Sequence, residues 1–214
     1  MVVPTDNSPE SSSNNSLPHT GEGVIIDIGT GDGLFVYQSA RQNPTKFYIG
    51  IDASRKPLEK ISEKIYRKPT KGGAPNVLFV QAAVEDLPSE FAGVANEVHI
   101  HFPWGSLLKA VAVGSVEVLR QIRQVCVDDA LLEVVLGLDP VRDASEIGRL
   151  GLRDVSIEII DRQLRPIYLQ AGFQITERGM LPASAWPEFK TSWSKKLRGS
   201  PNRTITYLIA RAMS

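Results

Sequence analysis

Short apolar, β-branched runs recur along the chain with helical stretches between them: "VIIDIG" at 24–29, "FYIGID" at 47–52, "NVLFVQA" at 76–82, "EVHIHF" at 97–102 and "ALLEVVLG" at 130–137. Runs this short and this continuously apolar mark strands buried on both faces, and their alternation with helices predicts a mostly parallel, doubly wound sheet. Two later segments, "GFQITERGML" at 172–181 and "RTITYLIARA" at 203–212, alternate apolar and polar positions more cleanly. They are expected to close the sheet as an antiparallel pair. The expectation is a single seven-stranded, Rossmann-like α/β domain over 21–214, with no internal repeat of fixed period and no heptad pattern.

Composition fits that picture: 214 residues, 42% hydrophobic and 22% charged, suffice for one core. The single cysteine, Cys126, falls in an apolar-periodic stretch at 118–127, which excludes a disulfide framework, argues for a reducing compartment and makes a catalytic thiol unexpected. No run approaches the roughly 20 apolar residues of a membrane span, and the N-terminus lacks the blocks of a signal peptide, so a soluble cytoplasmic protein is expected. Residues 1–20 are rich in Ser, Asn and Pro and are read as a mobile tail.

The formal net charge is zero, yet its distribution is uneven. Between Arg55 and Lys71 stand seven basic residues against Glu59 and Glu63, and from Lys190 to the end six basic residues against no acidic one. One basic face on an otherwise acidic body is the footprint of a nucleic-acid partner, with two merely solvated helix faces as the alternative.

Candidate chemistry begins at "DIGTGDG" (27–33), which follows the first strand and opens the first helix. Gly29, Gly31 and Gly33 let backbone approach a ligand, although such a glycine pattern alone is weak evidence. Asp52 ends the second strand at the distance where an acid accepts from ribose hydroxyls, and Asp27 ends the first. Asp32 inside the loop would repel a pyrophosphate, so the expected ligand is a nucleoside without phosphates, a description that fits S-adenosylmethionine. Glu85 or Asp86, after the third strand, could accept from the adenine amino group.

The fourth strand runs into "FPWGSLL", and its carboxyl end is where ligands bind in an open α/β sheet. Trp104 there, with Trp193 in the basic segment "TSWSKKL", has the composition of a base-stacking site, against the reading that each merely packs. Trp186 is read as packing. His99 and His101 share one face of the fourth strand and are read as a structural pair, and no metal site is expected.

In order and spacing, "DIGTGDG", "FYIGID", "KPTKGG", "FPWGSLL" and "TSWSKKL" resemble the aminoglycoside-resistance 16S rRNA methyltransferases of the Kam/NpmA type. The resemblance spans 24–212 and leaves out the tail. It implies a class I S-adenosylmethionine-dependent methyltransferase fold and methylation of N1 of adenine 1408 in the assembled 30S subunit by a monomeric enzyme. It further implies that Asp27, Gly29, Gly31, Asp52, Ala53, Ala83, Glu85 and Phe102 line the cofactor pocket, with Ser106 and Thr191 near the methionine end. Trp104 and Trp193 would stack on the target base. Lys64, Arg67, Lys68, Lys71, Lys196 and Arg203 would contact rRNA, from segments near 55–72, 138–157 and 186–203. The chain departs from its relatives at Pro201 and Leu150, where they carry arginines, and Arg149 or Arg153 is the expected substitute for the second. Adenine N1 has a free lone pair and needs no general base, consistent with the lack of a His or Cys constellation. Two rivals stay open, a tRNA guanine-N7 methyltransferase and a non-catalytic RNA-binding protein of methyltransferase fold.

Overall fold

A computed structural model describes residues 22–152, 156–182 and 204–214. In chain order it contains β1 (Val24–Ile28), α1 (Leu34–Gln42), β2 (Phe47–Asp52), α2 (Arg55–Ile65), β3 (Val77–Gln81) and β4 (Ala95–His101). There follow α3 (Gly105–Lys109), α4 (Val116–Val125), β5 (Cys126–Leu138), α5 (Ala144–Leu150), α6 (Ile157–Ile159), α7 (Arg165–Gln170), β6 (Phe173–Pro182) and β7 (Thr204–Ala212). All seven expected strands form one sheet of order β3-β2-β1-β4-β5-β7-β6. The pairs among β1 to β5 are parallel, whereas β7 inserts between β5 and β6 and runs against both. The seven-stranded, mostly parallel α/β architecture is as the sequence predicts.

Two layers of helix bury the sheet. Ile26, Ile28, Val98, Ile100, Leu132 and Val134 point into the larger core with Leu108, Leu119, Ile122 and Tyr168. On the opposite face Ile25 and Tyr48 pack against Val36 and Tyr37 of α1 and Leu58, Ile61 and Ile65 of α2. That spacing in α2 seats one apolar stripe on the sheet and leaves Arg55, Lys56 and Lys60 exposed. The order of strands reverses between β1 and β4, which opens a crevice at their carboxyl ends.

Two details differ from expectation. Strand β4 is apolar on one face only: Val98 and Ile100 are fully buried, while Glu97, His99 and His101 share the other face and are half-buried. The fifth strand, expected at 130–137, begins earlier, since α4 stops at Val125 and Cys126 is already the first residue of β5. Cys126 pairs with Ala95, the register then shifts, and pairing resumes at Glu97 with Leu131. Asp129 takes a left-handed φ of 60° in that irregular stretch. Among the described residues no helix is long and apolar enough to cross a membrane. The tail expected at 1–20 lies outside the described residues.

Candidate functional site

The crevice holds a cavity of about 260 Å³. One wall is the glycine loop between β1 and α1, where Ile28, Gly29 and Gly31 line the cavity. Gly29, Gly31 and Gly33 all have left-handed φ, of 77°, 58° and 67°. A Cβ on Gly31 would meet nothing within 4 Å, so its backbone faces open space, whereas one on Gly29 would lie 2.8 Å from Leu107 Cδ2. The loop is tied down by the Gly29 and Thr30 N–H groups, which donate to the Ile51 carbonyl at 2.8 and 3.0 Å.

Asp52 and Ala53 form the second wall. The Gly31 N–H donates to Asp52 Oδ2 at 2.8 Å and the Ser54 N–H to Oδ1 at 2.8 Å. Each carboxylate oxygen thus keeps a lone pair while its orientation is fixed, which suits it to accept from a pair of ribose hydroxyls. Asp32 Oδ1 accepts from the Leu34 N–H at 3.2 Å at the start of α1. A carboxylate already occupies the helix N-terminus that a pyrophosphate would need, so the loop suits an uncharged nucleoside. After β3, Ala82, Val84 and Glu85 reach the cavity. Between the two acids proposed for the adenine edge, the cavity wall includes Glu85 and leaves Asp86 outside.

The third wall is "FPWGSLL", contributing Phe102, Pro103, Trp104, Ser106 and Leu107. Its backbone explains the odd placement of a large aromatic beside a turn. Phe102 adopts φ 51°, a conformation a bulky residue takes at a cost on the order of 1–3 kcal/mol. It is held there by its N–H, which donates to the Val135 carbonyl at 2.7 Å, and by packing of its ring with Val135 and Ile205. Gly137 provides the room, since a Cβ there would lie 2.8 Å from the ring. The reversal points the chain outward, and Trp104 stands at the cavity with 45% of its surface exposed, immediately before α3. A fully packed tryptophan would not be so exposed.

An element the sequence did not indicate braces this turn. Glu146 of α5 is buried, and its Oε1 accepts from the Gly105 N–H at 3.2 Å. Arg149 grips the same carboxylate with Nε at 2.8 Å and Nη2 at 2.6 Å, and holds its carboxyl below the usual range. Arg149, expected to meet rRNA, is therefore half committed to the turn that carries Trp104. No local pattern signals a contact made across 41 residues of sequence.

Other expectations fall differently. Asp27 is 3% exposed and lies beneath the cavity, outside its wall, between Gly50 and His99 in the sheet register. Burial raises its pKa, partly offset by the neighbouring His101. Ala83 is exposed and outside the cavity wall, which its neighbours Ala82 and Val84 line instead. His99 sits between carboxylates: burial opposes its charge, but hydrogen bonds with Glu133 and Glu97 lift its pKa to about 9. Thr191, Trp193, Lys196, Arg203, Trp186, Arg153 and Pro201 lie outside the described residues.

The basic segment after α2 is built to present charge. Arg67, Lys68 and Lys71 are exposed, and Lys64 sits with Nζ 4.3 Å from the centre of the Tyr37 ring. The Tyr37 hydroxyl donates to the Gly72 carbonyl at 2.8 Å, tying the "KPTKGG" turn to α1. At Gly73 a Cβ would be 1.7 Å from the Arg67 carbonyl oxygen, so only glycine folds this turn so tightly. A larger, more open groove of about 670 Å³ runs along α2 past Glu59, Glu63 and Tyr66. Its lining lacks the glycine loop and the strand-end carboxylate of Asp52, so the smaller crevice is the site.

The family described as NpmA, 16S rRNA (adenine(1408)-N(1))-methyltransferase, matches residues 10–212, a span that begins within the segment expected to be tail. A 16S rRNA (adenine(1408)-N(1))-methyltransferase of Streptoalloteichus hindustanus is 39% identical over 181 residues, 84% of this chain and 82% of the relative. The crystal structure of the aminoglycoside resistance methyltransferase NpmB1 is similar with a TM-score of 0.77 and 44% identity, covering 91% of this chain and 89% of that one. A tryptophan-to-alanine mutant of the 16S rRNA (adenine(1408)-N(1))-methyltransferase from Catenulisporales acidiphilia, crystallised with its cosubstrate SAM, is similar with a TM-score of 0.82 and 29% identity, over 91% and 88% of the two chains.

Proposed function

The chain belongs to the family of 16S rRNA (adenine(1408)-N(1))-methyltransferases, and from that premise we propose how its own residues bring cofactor and target base together. The protein is an S-adenosylmethionine-dependent enzyme that methylates N1 of adenine 1408 in 16S rRNA, a modification that confers aminoglycoside resistance. Neither the tRNA guanine-N7 reading nor the non-catalytic one is favoured by these relatives.

One observation carries the residue assignment: a single cavity gathers the open backbone of Gly31, the oriented carboxylate of Asp52, Glu85, Ser106 and the half-exposed Trp104. These residues fit S-adenosylmethionine, which when bound supplies a methyl group on a cationic sulfonium. Asp52 accepts from the ribose hydroxyls, Glu85 from the adenine amino group, and Ser106, with Thr191, serves the methionine group. Gly29 and Gly31 give the ligand close access to backbone. Asp27 acts from below, fixing the end of β1 and the loop that follows.

Trp104 forms one face of a slot for the extruded adenine, and Trp193 supplies the other. Stacking on an aromatic is worth roughly 1–3 kcal/mol per base, enough to offset much of the cost of unstacking. Adenine N1 presents its own lone pair, so the protein is required only to align it with the methyl group, and prepaid orientation is a large contribution. Glu146 positions Trp104 through the Gly105 N–H. Lys64, Arg67, Lys68 and Lys71 bind phosphates, Lys196, Arg203 and the outer edge of Arg149 add to them, and together they set the docked register.

The substrate is the assembled 30S subunit, the enzyme acts as a monomer, and it works in the cytoplasm where ribosomes are. The test is methyl transfer from labelled cofactor to 30S subunits, naked 16S rRNA and tRNA in parallel. Strong labelling of subunits with little of the other two is the expected result, and preferential labelling of naked rRNA or tRNA would overturn the choice of substrate.

A further inference from the structure

His99 and His101 lie two residues apart on β4, and the period of a strand puts both imidazoles on one face. The sheet register sets Glu133 of β5 on one side of His99 and Asp27 of β1 on the other. Glu133 Oε1 is 3.2 Å from His99 Nδ1 and 2.6 Å from His101 Nε2. One potential ligand atom from each of these three residues lies within 4.8 Å of the others. Tetrahedral ligands about 2.0–2.2 Å from a zinc-sized ion stand roughly 3.3–3.5 Å apart. The His99 and Glu133 atoms are already near that spacing, and the His101–Glu133 contact would lengthen by less than about one ångström to reach it.

The surroundings hold these groups in place. The Phe35 ring packs against both imidazoles, with centroid distances of 5.4 and 4.8 Å. Glu97 Oε2 lies 3.4 Å from the far nitrogen of His99, and Lys46 holds Glu97 at 3.0 Å. A carboxylate on the outer nitrogen is the usual orienting partner of a metal-bound imidazole. Formally, Asp27, Glu97 and Glu133 bring three carboxylates against the one ammonium of Lys46, an excess that one divalent cation balances. The Glu133 side chain keeps 23% of its surface in solvent, which leaves an entry path and room for a water ligand.

We propose that His99, His101 and Glu133 form a binding site for one borderline divalent cation of the zinc class. Two imidazoles and a carboxylate select such an ion over magnesium or calcium, which prefer all-oxygen ligands. The ion cross-links β4 to β5 directly below the cofactor cavity and pins the strand end from which Phe102 and Trp104 depart. Its role is structural, because the reaction needs neither a Lewis acid nor a base. Cys126, the only cysteine, does not compete: it is buried and burial pushes its thiol up to about 12.

Protons on both imidazoles would balance the same charge, so the test separates the two. Untagged full-length protein, stripped with chelator, is titrated with Zn²⁺ by calorimetry and with Co²⁺ by visible absorption. One saturable Zn²⁺ per chain, a Co²⁺ absorption band that Zn²⁺ abolishes, and shifted ¹⁵N resonances of His99 and His101 are expected. His101→Gln and Glu133→Gln should remove the site, and His19→Gln, altering the only other histidine, should not. Because a variant could fail to fold, the imidazole resonances of the unaltered protein decide independently. No saturable binding, unshifted resonances, or binding lost only in His19→Gln would overturn the proposal.

Discussion

Replacing Trp104 with alanine separates a stacking wall from a packing element. The indole is 45% exposed and makes no side-chain capping bond to α3. Deleting a fully buried tryptophan costs about 3–5 kcal/mol, so roughly half of that, about 2 kcal/mol, is the ceiling on lost stability here. In a domain of this size that lowers Tm by about 4–8 °C and leaves the protein folded at assay temperature. Lost stacking of roughly 1–3 kcal/mol, with 1.36 kcal/mol per factor of ten, lowers kcat/KM about 5- to 150-fold. Trp104→Phe, which keeps an aromatic face, should recover most of it. The assay is steady-state methyl transfer to 30S subunits, with cofactor affinity by calorimetry and Tm alongside. Cofactor Kd should change little. If Kd rises by the same factor as kcat/KM falls, Trp104 serves to hold the cofactor and not the target base, and if kcat/KM is unchanged it does not stack on the target; either result refutes the reasoning.

Further substitutions probe the other walls. Asp52→Asn removes a charged acceptor, and the loss of roughly 1.5–3 kcal/mol for a hydrogen bond to a charged group should weaken S-adenosylmethionine about 10- to 150-fold by calorimetry. Glu146→Gln should lower kcat with cofactor Kd unchanged, because Gly105 loses its anionic partner and Trp104 its brace. Single Lys64, Arg67, Lys68 and Lys71 replacements by Glu should weaken 30S binding and flatten its dependence on salt, without altering cofactor binding, as expected of phosphate contacts.

Much of this was legible in the chain because it is written in local pattern. All seven strands follow from apolar runs or alternation, and the glycine loop, Asp52 and the pair Glu85 and Asp86 follow from strand ends whose position the topology dictates, the choice of Glu85 coming only with the family resemblance. What sequence withheld is contact between distant segments. The brace from Glu146 to Gly105 joins a helix to a turn with no shared periodicity, whereas the pairing of Arg149 with Glu146 is an i,i+3 helix contact that local spacing allows. Asp27 reads as a cavity residue from its place after an apolar run, yet a strand residue at that register faces inward beneath the loop. The left-handed Phe102 could not be foreseen, since propensity argues against it, and Gly137 and the β7 residue Ile205 are what permit it. Glu133 met the two histidines only once β4 and β5 were in register.

The most direct test is the site of the modification itself. After incubation of 30S subunits with the protein and S-adenosylmethionine, primer extension across the decoding region should stop one nucleotide before adenine 1408, because N1 methylation blocks pairing. Mass spectrometry of the same fragment should show a single added methyl. A stop elsewhere, or methylated RNA that primer extension reads through at adenine 1408, would contradict the account.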